Sequence, residues 1–177
     1  PDGAPRGGRT EDLAYVSYWY PQMAVYDDVV GWQADPYMGN AEFYMGYGSY
    51  DVALTVPAGY LIGATGTLTN AADVLTPGTR QRLAQAFTAD TVVHVVAEGD
   101  RGAGKATQAG ASLTWRFHAD TVRDFAWGVS DKFAWDATRA LVGDRDGNGT
   151  ADTAAIHTFW LPGNAASKWP QDARYAR

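Results

Sequence analysis

Tyr50-Asp51-Val52-Ala53-Leu54-Thr55-Val56 runs into Pro57-Ala58-Gly59, and then into Tyr60-Leu61-Ile62-Gly63-Ala64-Thr65-Gly66-Thr67-Leu68. Val52, Leu54 and Val56 alternate with smaller or polar residues, the period-two pattern of a strand that buries one face. Proline offers no ladder donor and glycine permits a turn, so Pro57-Ala58-Gly59 ends that strand. Tyr60 to about Leu68 predicts a second strand, closed by Thr69-Asn70. The expectation is a mainly β chain.

The flanks read the same way. Tyr15 to Tyr60 holds twelve of the 23 aromatics, set among short β-prone runs that Gly31, Gly39, Gly46 and Gly48 punctuate. Ala41 to Val56 is expected as one long strand bent at Gly46 and Gly48. Thr76-Pro77-Gly78-Thr79 has the form of an entry turn. Arg80 to Phe87 then predicts one short helix with Leu83, Ala84 and Phe87 on one face. Strands resume at Thr91 to Ala97, with Glu98 to Gly110 as a glycine-rich hairpin tip. Ala111 to His118 and Thr121 to Val129 are expected to pair, Phe125, Trp127 and Val129 sharing a face. Thr153 to Leu161 is a last strand, and Lys168 to Arg177 starts a C-terminal helix.

Short strands with turn signals between them predict a β-sandwich or saddle-shaped sheet. The core is expected to contain Val52, Leu54, Val56, Leu68, Val93, Val95, Leu113, Phe125 and Trp127. Residues 1–14 read as a flexible lead-in, 15–161 as the β domain, and 162–177 as a linker with the helix start.

Composition narrows the function. A length of 177 residues suffices for a sizeable core. The net charge of −6 comes with no basic stripe, which argues against nucleic acid or an anionic membrane as partner. With no cysteine, disulfides, thiolate metal sites and cysteine nucleophiles are excluded. No apolar run approaches the ~18 residues of a membrane span, and the first residues lack the charged and apolar regions of a signal peptide.

Most candidate chemistry is weak. His94, His118 and His157 match no local metal spacing and read as sheet histidines. No serine sits in a G-x-S-x-G turn. Gly99 to Gly104 lacks the strand, helix and lysine of a phosphate loop. Asp27, Asp28, Asp35 and Glu42 offer carboxylates, but nothing fixes the separation that a glycosidase pair needs. The strongest local motif is Asp144-Arg145-Asp146-Gly147-Asn148-Gly149-Thr150-Ala151-Asp152. Oxygen donors at relative positions 1, 3, 5 and 9, glycine at 6 and the Thr150 carbonyl at 7 suit a hard cation such as Ca2+. The bidentate Glu of position 12 is replaced by Ala155. The motif is similar to the D-x-D-x-D-G-x-x-D loops of extracellular calcium modules; the alternative is a solvated acidic turn. Asn148-Gly149-Thr150 is also a glycosylation sequon.

Longer motifs carry a resemblance. Trp19-Tyr20-Pro21-Gln22-Met23-Ala24-Val25-Tyr26-Asp27-Asp28, then L-T-V-P-A-G over Leu54 to Gly59, then A-T-G-T-L over Ala64 to Leu68, stand in an order that resembles the aminopeptidase N-like zinc metallopeptidases. The matching region is their non-catalytic N-terminal β domain. Asp124 to Asp131 resembles that domain's closing strand, and Trp169 to Tyr175 the first helix of the catalytic domain. The resemblance covers about Tyr18 to Tyr175. It implies a β domain that packs on the catalytic domain of the same polypeptide and walls the peptide substrate's cleft. Zinc would lie in that other domain, because the H-E-x-x-H helix, the third-ligand glutamate and the G-x-M-E-N-like strand are absent from these residues. The chain therefore reads as a fragment of a larger enzyme, itself inactive. Members of the family hold the substrate's amino group with a glutamine of this domain. Gln22 is the only glutamine within the W-Y-P motif, and no catalytic residue is assigned.

The competing reading is an extracellular, calcium-stabilised β-sandwich binding a glycan or protein, for which the aromatic richness and the acidic loop speak. The calcium-like loop favours a secreted or periplasmic location.

Overall fold

The computed structural model describes residues 6–36, 44–163, 168 and 171–176. They form β1 (Gly7–Arg9), β2 (Ala14–Val16), β3 (Tyr26–Asp27), β4 (Gly31–Trp32), β5 (Gly48–Pro57), β6 (Leu61–Ala64) and β7 (Thr67–Leu68). Helices α1 (Ala71–Val74) and α2 (Pro77–Ala86) follow. The chain goes on through β8 (Val93–Val96), β9 (Ser112–Val122), β10 (Trp127–Ser130), β11 (Ala134–Leu141), β12 (Thr153–Trp160) and α3 (Asp172–Tyr175). The protein is mainly β, as the alternation at Val52 predicts. Its sheets run β1-β2-β10-β6, β12-β11-β8 and β5-β9-β7, with β3 and β4 as a separate hairpin.

One core joins the three larger sheets. Leu61 and Ile62 of β6, Val95 and Val96 of β8, Trp115 and Phe117 of β9, and Trp135 and Ala137 of β11 all belong to it, with Phe125 at its centre. Of the expected core residues, Val95 and Phe125 are fully buried. Val52, Leu54, Val56, Leu68, Val93, Leu113 and Trp127 pack against the cluster but stay partly exposed. For β5 the reason is its position. It is the edge strand of its sheet, so Val52, Leu54 and Val56 lean on the core from one side only, whereas Trp115 and Phe117 on central β9 are covered from both.

Several expected pairings differ. The stretch from Tyr60 to Leu68 is two strands in two sheets: β6 pairs with β10, Ile62 opposite Val129, whereas β7 pairs with β9, Thr67 opposite His118. The break is at Gly66, with φ +84, where a Cβ would lie 2.3 Å from the His118 carbonyl oxygen. Ala111 to His118 and Thr121 to Val129 do not pair with each other. β9 continues to Val122 and pairs with β5, while β10 pairs with β2 and β6. Glu98 to Gly110 is no hairpin tip, because β8 and β9 belong to different sheets. It folds inward instead. Ala106 and Thr107 are fully buried, Thr107 bridges Leu75, and its hydroxyl accepts from the Gly59 N–H at 2.9 Å.

The helix begins earlier than expected. The Thr76 hydroxyl accepts the Thr79 N–H at 3.4 Å and Pro77 supplies a preset φ, so α2 starts at Pro77. Its inward face is Thr79 and Ala86, both buried, with Leu83 partly buried beside them; Ala84 and Phe87 are exposed. The four-residue α1 carries too little periodicity to be read from sequence. Gly7 to Arg9, expected within the lead-in, forms β1 against β2. Residues 41–43 of the expected long strand lie outside the described residues, 44–47 are not strand, and the strand begins at Gly48. Within the expected C-terminal helix, α3 packs on β11 and β12 with Ala173 buried.

Candidate functional site

β11 and β12 form a regular hairpin, from Ala134 opposite Trp160 to Leu141 opposite Thr153, and residues 142–152 are its tip. The tip is closed by the Val142 N–H donating to the Asp152 carbonyl at 3.0 Å and the Asp152 N–H donating to the Gly143 carbonyl at 2.8 Å. This brings Asp144, Asp146 and Asp152 together, with one carboxylate oxygen of each within 4.8 Å of the others. Among the described residues no other group of three acidic, histidine or cysteine side chains does this.

The loop organises its own carboxylates. Asp144 Oδ1 accepts the N–H groups of Gly147 (2.7 Å) and Asn148 (3.0 Å), and its Oδ2 accepts that of Gly149 (2.8 Å). The Gly149 N–H, with those of Gly147 and Asn148, holds the Asp144 carboxyl below its usual range. Such donors favour the charged form. Asp152 Oδ2 accepts the Arg145 N–H, and Asp146 accepts the backbone and side-chain amides of Asn148. Asn148 Oδ1 accepts the Thr150 N–H at 2.8 Å. Gly147 and Gly149 take φ +75 and +84, turns that a Cβ would strain. The three grouped carboxylates form a hard donor set of the kind that suits Ca2+; Asp144 Oδ1 is taken up by two N–H groups, whereas its Oδ2 accepts one and keeps a lone pair. These side chains, with the Thr150 carbonyl, would hold the ion. The loop lies at the far end of the hairpin from Trp160, about 26 Å along β12 at ~3.3 Å per residue.

The remaining candidates separate. His94 lies on β8 and His157 on β12, on opposite faces of one sheet, because they pair with the successive residues Asp136 and Ala137. His118 belongs to another sheet. His94 Nδ1 lies 2.6 Å from the buried Asp136, which also accepts the Trp160 indole N–H at 3.0 Å. His157 lies against Phe87 and Trp135, and that burial lowers its pKa. Asp27 is a turn cap: it accepts the N–H groups of Val29 and Val30 and the Gln33 side chain. Glu42 lies outside the described residues. Gln22 is exposed and donates to the Tyr20 hydroxyl at 2.8 Å.

Sequence reading missed one cluster. His118 is flanked by Asp51 at Nδ1 and Asp120 at Nε2, and Asp120 accepts the Ser49 hydroxyl. The spacing of His118 and Asp120 placed them on one face of a strand; Asp51 and Ser49 join only through the β5–β9 register.

No family model, curated protein or solved structure matches the chain.

Proposed function

We propose that this chain is the non-catalytic β domain of an aminopeptidase N-like zinc metallopeptidase, packing on a zinc domain of the same polypeptide and walling the cleft for the peptide substrate. Peptide-bond hydrolysis belongs to that zinc domain. One observation carries the reading beyond the ordered motifs. The segment holding W-Y-P-Q-M-A-V-Y-D-D, with its continuation, presents its apolar side chains to solvent. Trp19, Met23, Tyr26, Val29, Val30, Trp32, Tyr44 and Tyr47 are all exposed, Met23 and Val29 by more than 80%. Exposed apolar side chains in this number support a surface that another protein domain covers. Its base is fixed: the Trp19 indole donates to the Phe125 carbonyl at 2.8 Å, and Tyr26 meets Trp32 edge-on.

The test is to express the chain together with whatever its reading frame encodes beyond Arg177. The reading expects an H-E-x-x-H helix there, stoichiometric zinc and turnover of an aminoacyl amide in the longer protein, and neither zinc nor turnover in the 177-residue chain. A continuation without such a helix, or turnover by the chain alone, overturns it.

The grouped carboxylates of Asp144, Asp146 and Asp152 favour a second reading, a secreted or periplasmic calcium-stabilised binding module. Trp19, Tyr26 and Trp32 would then be its contact surface for a glycan or protein. Unrelated repeats or a stop codon after Arg177 would favour it. No described helix is long and apolar enough to cross a membrane.

A further inference from the structure

The free edge of β5 is the feature that neither reading uses. β5 is ten residues long and, among the described residues, pairs only with β9. A strand edge of this length is a template for another strand unless charge, proline or a bulge blocks it. Here the guards stand at the ends: the register shift at Gly48/Tyr50 and Pro57. Val52 to Thr55 carries none. The one charged side chain of the strand, Asp51, is turned to its own sheet by His118.

We infer that β5 pairs antiparallel with β5 of a second copy of this chain, across a two-fold axis at Ala53. The sequence is self-complementary in that register. Ser49 falls opposite Pro57, Tyr50 opposite Val56, Asp51 opposite Thr55, Val52 opposite Leu54, and Ala53 opposite itself. No like charges oppose one another, and the register uses every residue from Ser49 to Pro57. The core-facing set, Tyr50, Val52, Leu54 and Val56, is left partly exposed by the edge position, and the partner's identical set would extend it into one apolar surface. The outer set, Ser49, Asp51, Ala53 and Thr55, is exposed and small or polar, so the joined sheet keeps a hydrated face. Such an isologous contact closes at two copies.

Ala53→Glu separates dimer from fold. Within one copy residue 53 faces Arg116 across β9, so the new carboxylate gains an opposite charge. Across the axis two carboxylates would be directly opposed, Cα to Cα about 4.5–5.5 Å. Sedimentation equilibrium of the 177-residue chain should give a dimer that dissociates on dilution, and Ala53→Glu should be monomeric, with a melting temperature equal to or above that of wild type diluted to the monomer, since the dimer itself adds stability by mass action. Because the chain has no cysteine, a spin label on Ala53→Cys reports the contact directly, through strong dipolar broadening in the dimer. A monomer at every concentration, a dimer that Ala53→Glu leaves intact, or a labelled dimer without broadening would overturn the proposal.

Discussion

His118 Nδ1 lies 2.8 Å from Asp51 Oδ1, across the register pair that joins β9 to β5. The opposite ring nitrogen lies 2.9 Å from Asp120 Oδ2. A neutral imidazole has one N–H, so it donates to one carboxylate and turns a lone pair on the other; only the imidazolium satisfies both. The bonds to Asp51 and then Asp120 raise the His118 pKa above its ordinary 6.5.

The sign of the resulting pH dependence follows. A folded-state pKa raised above the unfolded value gives stability that is full below about pH 6.5 and is lost as pH rises through the folded pKa. Asp120, lowered by Ser49 and then His118, contributes in the opposite direction, losing its share as pH falls through its own folded pKa. Wild type should therefore melt above His118→Gln in mildly acidic buffer, and the two curves should converge at alkaline pH. A difference that is independent of pH across the neutral range would show that the imidazolium plays no part.

Calcium should raise the melting temperature through the 144–152 loop by mass action on the folded state. Three grouped carboxylates supply the charge, and the missing twelfth-position Glu limits affinity to weak or moderate. Asp146→Ala should abolish the shift. Without calcium, Asp144 still contributes, because its lowered pKa gives stability that is present above the unfolded value and lost as pH falls through the folded one. Calorimetry with no calcium heat and an unmoved melting point would leave an acidic turn.

The parts legible in the sequence were those set by local pattern. Alternation at Val52, Leu54 and Val56 located β5, Thr76-Pro77 marked the helix entry, and the spacing of Asp144, Asp146 and Asp152 anticipated their grouping. Long-range pairing was not legible. Nothing local tells that Gly66 turns the chain from one sheet into another, or that Ala106 and Thr107 are buried under Leu75. The Asp51–His118 contact shares that limit, since its partners are 67 residues apart. Partial burial of β5 depended on sheet order, which alternation does not encode.

Phe125 is the core's test residue. It is fully buried although it lies between β9 and β10 rather than in a strand, and its ring packs against Tyr50 and Phe117. Its carbonyl also anchors Trp19. Phe125→Ala should cost about 3–5 kcal/mol, the range for truncating a buried phenylalanine. It should also increase exposure of the Trp19 indole, visible as a red shift of tryptophan emission in the folded state. A loss under about 1 kcal/mol in urea titration would place the ring outside the core.

Gly66→Ala tests the sheet-switching turn. Two independent costs meet there. The backbone φ of +84 suits glycine and strains alanine, and the added Cβ would lie 2.3 Å from the His118 carbonyl oxygen and 2.7 Å from Ala119 Cβ. The nearest atom is backbone of central β9, which cannot move without disturbing its pairing with β5 and β7. Incompatible Gly→Ala changes cost more than the ~1 kcal/mol that compatible ones can gain, so the expected loss exceeds that figure. Gly99→Ala is the control, because its added methyl meets nothing within 4 Å and its φ lies outside the left-handed region. Urea midpoints should fall clearly for Gly66→Ala and stay near wild type for Gly99→Ala. Equal midpoints for the two variants would mean that the chain does not cross between sheets at residue 66.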